Sequence, residues 1–543
     1  MKKWGWIIAA LLLVALVAGG IWGYGNYALL NGQIVSRNAA EVTISGDKLP
    51  SEFWLKRLEN PQQLDVRQIP LTPAEYEGLK ALFPNAQILY TVALGSQGVP
   101  MNATGLTLGA SDVAALPQTL TCLPKVQQVR VNGADADWRL LKELMTQYPA
   151  VTFDFEVDVC GVTVRSTEDI LDLGQAQVDT AQLEEKLDCF PKLQRLLVPT
   201  CQDYEWLLAL QEARPELDVF YNLTVAGVET NNQAVELAVE NVTIPMLEEA
   251  LPHMKLLEEL RLGGVLPADE ALYELMCRYP DVVFMWDITI CGLEANTGDT
   301  TLILSERKMA NTDEVREKIR YFSRLERVEM CYCGIPSTEM EKLTIEFPEI
   351  RFVWAVRIGK GYLRTDATAF IPYHLGYNIK EPFGDAECRE LKYCIDIECM
   401  DLGHMRMYDI SFLNYMPKMK FLVLGDTWVR DFSPLHNLTE LIYLEIFNTR
   451  FNDHTALLKM TKLEDLNIGF TPVQDIEILK QMTWLERLWM PATGRTRAEY
   501  DELVAALPNT VVKMYIEHST SANWRDNDNY REMRDRLGMF YME

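Results

Sequence analysis

MKFLVLGDTWVRDFSPLHNLTE at residues 419–440 is followed by LIYLEIFNTRFNDHTALLKMTK at 441–462 and LEDLNIGFTPVQDIEILKQMTW at 463–484, three consecutive segments of one length. Aligned, they put Met419, Leu441, Leu463 and Leu485 at the head of an LxxLxL pattern with a pitch of 22 residues. Thr427, Thr449, Thr471 and Thr493 keep the same pitch, as do Asp409, Asp431, Asp453 and Asp475. Three residue types locked to one period define a unit that must stack on its neighbours to bury its apolar edge.

Residues two apart on a strand share a face, so Leu422 with Leu424, Leu444 with Ile446, Leu466 with Ile468 and Leu488 with Met490 face inward. The Thr lies three residues further on, at a bend where backbone groups need a side-chain partner. The Asp is suited to cap a short helix by accepting backbone N–H bonds. Twenty-two residues leave room for only 3₁₀ or very short helices on the outer side. Over residues 405–495 this pattern resembles the leucine-rich repeat family, and its period resembles the internalin-type repeats of bacterial surface proteins. It departs from them in carrying Thr where the family usually has Asn. The resemblance implies an α/β solenoid, horseshoe-like, with parallel strands on a concave face that binds a partner.

A longer repeat lies upstream. Pro84, Pro149, Pro215, Pro280 and Pro348 are 65 to 68 residues apart, and each ends a helical pattern and opens an alternating strand. In VTFDFEVDVCG, residues 151–161, Val151, Phe153, Phe155, Val157 and Val159 share one face. Each copy closes on a glycine, at Gly95, Gly161, Gly227, Gly292 and Gly359, as a turn with positive φ requires. Six residues after each proline come Tyr90, Phe155, Tyr221, Trp286 and Trp354, expected to stack as a column. Strands alternate with helical patterns such as TAQLEEKLDCF, giving a degenerate repeat continuous with the C-terminal one. The connection after each glycine reads equally as a hairpin or a tight parallel turn.

Residues 4–24 carry no charge and follow Lys2 and Lys3, which matches a helix crossing a bilayer core with the lysines on the cytoplasmic side. The body is therefore expected outside the cytoplasm, with secretion after signal-peptide cleavage as the alternative. The expected organisation is a signal anchor at 1–27, a stalk and N-terminal cap at 28–66 and the long repeats at 67–372. A junction at 373–404, the 22-residue repeats at 405–495 and a C-terminal cap and tail at 496–543 complete it. A net charge of −27 opposes nucleic acid and anionic membrane surfaces as partners.

Most of the eleven cysteines fall on repeat positions and read as small buried hydrophobes. Cys160 and Cys291 precede the turn glycine where other copies have Leu94, Ala226 and Ile358. Cys388, Cys394 and Cys399 with His404 form the one metal-like grouping, but their spacing fits a disulfide better than structural zinc. No HExxH, GxSxG or GxxxxGK[ST] motif occurs, so neither an enzymatic role nor a cofactor is expected. Gly359 to Phe370, GKGYLRTDATAF, reads as the splice between two repeat registers.

The candidate ligand-binding site is the outward side of the C-terminal strands: Phe421, Tyr443, Glu445, Phe447, Asp465, Asn467, Phe470, Arg487 and Trp489. Aromatics and arginine on a nominally solvent-facing surface are typical interface anchors. The competing reading is cross-strand pairing that only stiffens the sheet. The function this supports is membrane-anchored extracytoplasmic recognition or adhesion, with an extracellular protein, peptide or glycan as ligand. The alternative is a non-catalytic scaffold or spacer of the cell envelope.

Overall fold

The structure is a computed structural model that describes residues 11–13, 15, 25–133 and 135–539. The expected membrane-crossing segment at 4–24 lies outside the described residues except for 11–13 and 15. No helix among the described residues is long and apolar enough to cross a membrane. The chain divides into two compact units, Met1–Leu237 with Pro245–Leu257, and Ala238–Ile244 with Glu258–Glu543.

In the first unit, parallel strands stack in sets. Ile170–Asp172, Arg195–Leu197 and Asp218–Phe220 pair in register, aligning Leu171, Leu196 and Val219, all buried. Helices Thr180–Leu187 and Tyr204–Ala213 connect them, each started by an aspartate (Asp179, Asp203) that accepts the backbone N–H three residues on. The connection after each glycine is an antiparallel hairpin, as in Glu156–Val159 with Val162–Arg165 and Asn222–Val225 with Val228–Asn231. Cys160 and Gly161 both have positive φ, which matches the turn twist that two-residue hairpins favour.

The second unit repeats the scheme with the hairpins Asp287–Ile290/Leu293–Asn296 and Ala355–Ile358/Gly361–Arg364, then continues into a seven-stranded parallel sheet. Its strands are β1 (Ala369–Phe370), β2 (Cys399–Asp401), β3 (Phe421–Val423), β4 (Tyr443–Glu445), β5 (Asp465–Asn467), β6 (Arg487–Trp489) and β7 (Val511–Lys513). Leu422, Leu444, Leu466 and Leu488 pair directly and are fully buried, each worth about 2 kcal/mol of apolar transfer. Each Thr at a bend donates its hydroxyl to the carbonyl three residues back, at 2.6 to 3.0 Å. Each Asp accepts from the N–H two residues on, at 2.8 to 3.2 Å. Short 3₁₀ helices follow three of them, Ser411–Tyr415, Ser433–Asn437 and His454–Lys459, and the α-helical turn Glu477–Lys480 follows the fourth. The parallel register extends beyond 405–495, because β2 and β7 belong to the same sheet. Gly359 to Phe370 holds the last hairpin turn and β1.

Four expectations are corrected. The two arrays do not form one uninterrupted ladder: hairpins divide the upstream strands of each unit into separate sheets. The five aromatics are buried but within each unit do not stack on one another, since intervening strands, each about 4.8 Å wide, separate successive copies there. They meet other rings instead: Trp286 lies 6.1 Å from Tyr321 and Trp354 lies 5.5 Å from Tyr393. Cys160 and Cys291 are half-buried and occupy the first turn position, the place of Gly95 and Gly359 rather than of Leu94 and Ile358. None of the eleven cysteines is bonded to another, Cys388, Cys394 and Cys399 included.

One device had no sequence signal. Where a hairpin leaves the sheet, a buried Ser166, Asn232, Thr297 or Thr365 takes up backbone groups that no strand can reach. Thr297 Oγ1 accepts from the Trp286 N–H at 2.9 Å and donates to the Phe284 carbonyl at 3.1 Å. Thr297→Val keeps the shape and strands both groups, so urea denaturation is expected to show a loss of about 2–3 kcal/mol. A loss below about 0.5 kcal/mol would mean that the clamp is dispensable.

Candidate functional site

The side chains interleaved with the leucines on β2 to β6 point to the other side of the sheet, and there the chain covers itself. Residues 516–539 fold back over this face, ending in helix α1, Asp528–Arg536. Trp524 is fully buried, its ring 5.3 Å from Tyr443 and 5.1 Å from Trp489, with the Arg487 guanidinium 4.6 Å from its centre. Met533 and Leu537 join Phe421, Val423, Cys399 and Ile371 in the same apolar cluster.

The face also holds the returning segment by its backbone. Asn467 Nδ2 donates to the Ser519 carbonyl at 2.8 Å, Trp489 Nε1 to that of Ser521 at 3.0 Å and Arg487 Nη1 to that of Trp524 at 3.0 Å. Carboxylates supply the rest. Glu445, with no exposed surface, accepts from Trp524 Nε1 at 2.7 Å, from Arg525 Nη2 at 2.8 Å and from the Tyr443 hydroxyl. Burial works against the Arg525 charge, but Glu445 outweighs it and holds the guanidinium protonated. Asp465 accepts from Arg487 Nε at 2.5 Å and Asn529 Nδ2 at 2.8 Å; burial still raises its carboxyl above the usual range. Glu398 pairs with Lys420 and with Arg536 of α1, both at 2.8 Å.

The expectation that this face displays its side chains is therefore corrected. Phe421, Tyr443, Glu445, Asp465, Asn467 and Trp489 are at most 2% exposed, Phe447 is buried and Arg487 is half-buried. Phe447 packs over Gly425, where a Cβ would come within 2.5 Å of its ring. Of the nine residues, Phe470 alone is exposed. Rows of aromatics on the second side of a sheet require a cover, and the chain supplies it from Trp524, Arg525, Asn529, Met533 and Leu537. The sequence reading missed these five. The signal was Trp524 beside Arg525 in a largely polar tail.

What unit 2 does expose is the edge where its strands bend. Glu306, Tyr332, His404, Asp426, Asn448, Phe470 and Ala492, each three residues past a strand, all have φ between 52° and 69°. Just beyond two of these bends the exposed rings of Tyr408 and Trp428 meet edge to face at 5.5 Å. Arg406 lies 5.4 Å from the Trp428 ring and Arg430 lies 5.3 Å from the Tyr408 ring. Neither arginine has an ion-pair partner among the described residues. Upstream on the strand face the opposite holds: Arg327, Glu329, Arg364 and Asp366 neutralise one another, with Asp366 at 2.5 Å from Arg327 and 2.9 Å from Arg364. Among the described residues no group of three or more His, Cys, Asp or Glu is placed to hold a metal ion.

No family model matches the chain, and no curated protein does. Among solved structures, the internalin InlF of Listeria monocytogenes is similar at 13% identity over 94% of this chain and 89% of that one, with a TM-score of 0.20. A leucine-rich-repeat protein of Leptospira interrogans is similar at 12% identity over 87% and 93%, with a TM-score of 0.22. The ectodomain of the Arabidopsis thaliana receptor kinase GASSHO1/SCHENGEN3, in complex with CASPARIAN STRIP INTEGRITY FACTOR 2, is similar at 14% identity over 90% of this chain and 49% of that one, with a TM-score of 0.20. Likeness at that level carries no functional argument. The leucine-rich-repeat architecture rests on the strand register itself.

The ion cluster generates a pH prediction. Arg364, with Arg327 behind it, holds the Asp366 carboxyl at about 2, below its ordinary value of 3.8. The stabilisation is complete above pH ~4 and is lost as pH falls through ~2; solvent screening leaves roughly 1–2 kcal/mol. Asp366→Asn is expected to lower stability by that amount at pH 7 and by almost nothing at pH 2, read from denaturation midpoints. A penalty equal at both pH values would contradict this.

Proposed function

We propose that this chain is a non-catalytic recognition protein that binds a partner protein through the bend edge of its 22-residue repeats. The observation that carries the reading is the cluster of Tyr408, Trp428, Arg406 and Arg430. Two aromatic rings stand in solvent, flanked by guanidinium groups without carboxylate partners among the described residues, in a chain whose net charge is −27. Exposed Trp, Tyr and Arg packed together are the residue types that dominate interface energetics, and they lose little entropy when a partner covers them. Phe470 adds a third exposed ring at a later bend, in a backbone conformation that Gly or Asn adopts more easily. A spacer protein has no need of such a cluster.

The reading includes the membrane as support. The uncharged run at 4–24 behind Lys2 and Lys3 is the basis for proposing an anchor with the repeats outside the cytoplasm.

Two measurements test the proposal. Full-length protein and its Tyr408→Ala/Trp428→Ala variant are used to capture partners from one envelope extract. Both side chains are exposed, so the melting temperature is expected to hold while captured partner falls tenfold or more. Equal capture by both proteins would favour the spacer reading. Full-length protein is also expected to stay with membranes through an alkaline wash, whereas release into the supernatant would count against the anchor.

A further inference from the structure

We propose that the C-terminal segment is an internal ligand: the face of β2 to β6 is a docking surface for a polypeptide presenting an indole followed by a guanidinium, and residues 516–539 occupy it in cis. This surface is separate from the Tyr408/Trp428 edge and stands on different residues.

The way the segment is held is how proteins hold a foreign chain. Between β7 and α1 the segment contributes no strand to the sheet, so nothing in the backbone ladder fixes it. Three side chains of the face reach its main-chain carbonyls instead, those of Ser519, Ser521 and Trp524. Contacts to carbonyls read the path of a chain and tolerate any sequence. Two side chains then give identity. Trp524 fills the space between Tyr443 and Trp489, and Arg525 meets Glu445, a carboxylate with no exposed surface. Asp465 and Glu464 both receive Asn529, and Glu398 receives Arg536. The face sets Glu398, Glu445, Glu464 and Asp465 against Lys420 and Arg487, and the polar side chains that enter it include the cations Arg525 and Arg536 and the neutral donor Asn529, so charge complementarity specifies the occupant's sign.

The hold is also reversible in kind. α1 has nine residues, too few for an isolated helix to persist in water, and Met533 is its one fully buried side chain. The half-buried Tyr530 ring adds a contact with Tyr443 at 6.1 Å, and the rest of the helix's anchorage runs through polar groups that water can solvate once the segment lifts. Release would uncover Phe421, Tyr443 and Trp489 together with Glu445 and Asp465, an aromatic and acidic surface matched to a second Trp-Arg segment. The occupant we assign is such a segment of a partner protein, which must displace the internal copy to bind.

The test uses the full chain and a labelled synthetic peptide of residues 516–539. Wild-type protein is expected to bind this peptide at least tenfold more weakly than the Trp524→Ala/Arg525→Ala variant, because its own segment competes. A peptide carrying Arg525→Glu is expected to lose binding to that variant. Failure of the variant to bind the unaltered peptide, or indifference to the Arg525→Glu change, would overturn the proposal. Association of the variant into dimers through exchanged segments would overturn it too, by making a second copy the occupant. Hydrogen exchange on the wild type is independent of any variant's folding: amides of residues 528–536 are expected to exchange at least a hundredfold faster than those of β3 to β6. Equal protection would show that the segment opens only when the whole unit unfolds, and would refute the proposal while leaving the edge site untouched.

Discussion

The direct pairing of Leu422, Leu444, Leu466 and Leu488 is the constraint from which the rest of the second unit follows. A parallel register fixed on one side of a sheet fixes the other side as well, since successive side chains alternate. Phe421, Tyr443, Asp465 and Arg487 therefore come into line whether or not their chemistry suits water. Neighbouring charges can neutralise along such a line, as Asp465 and Arg487 do. The aromatics cannot, and they need a second layer. The same pitch lines up the bends, where the Thr hydroxyl returns to its own strand and the Asp carboxylate receives the next turn's first free N–H. Each 22-residue turn thus satisfies its own corner, and successive turns are joined by the strand hydrogen bonds and by apolar contact.

How far this was legible depends on whether a feature repeats. The strand register, the short outer helices, the bend threonines and the capping aspartates were readable because four copies agree at each position. The hairpin was not, because the residues after each glycine fit an antiparallel return or a tight parallel turn equally well by period. The phase of that turn slips by one residue between copies, which Gly95 against Cys160-Gly161 shows directly. The buried clamps at Ser166, Asn232, Thr297 and Thr365 keep a 65-to-68-residue spacing but change residue type at almost every step, so no single pattern marks them. Only their shared capacity to accept one hydrogen bond and donate another unites Ser, Asn and Thr at that place.

The candidate site misled for a related reason. Alternation correctly identified which residues leave the leucine core, and it says nothing about what lies above them. Alternation suggests a face open to a partner or rings that pair across strands, and the chain instead covers the face with its own residues 516–539. That segment resists detection because its apolar contacts, Trp524, Tyr530, Met533 and Leu537, are scattered among polar residues. Asp528 to Arg536 reads DNYREMRDR, which as a sequence is a solvated helix; it becomes a cover through Arg536 on Glu398, Asn529 on Asp465, the Tyr530 ring against Tyr443 and the single buried Met533.

A buried carboxylate explains why the cover is specific. Glu445 sits at the centre of the face, where an unpaired charge would cost several kcal/mol. A purely apolar tail would bury the aromatics and leave that charge stranded, so any occupant must bring a cation to the one place where Glu445 waits. Trp524 and Arg525, adjacent in sequence, meet the two demands together: the indole enters between Tyr443 and Trp489, and the guanidinium arrives over the carboxylate. The pair also fixes the segment's direction, because reversing the chain would exchange the indole and the charge. The apolar row creates the need for a cover, and the acid beneath it selects which polypeptide can serve.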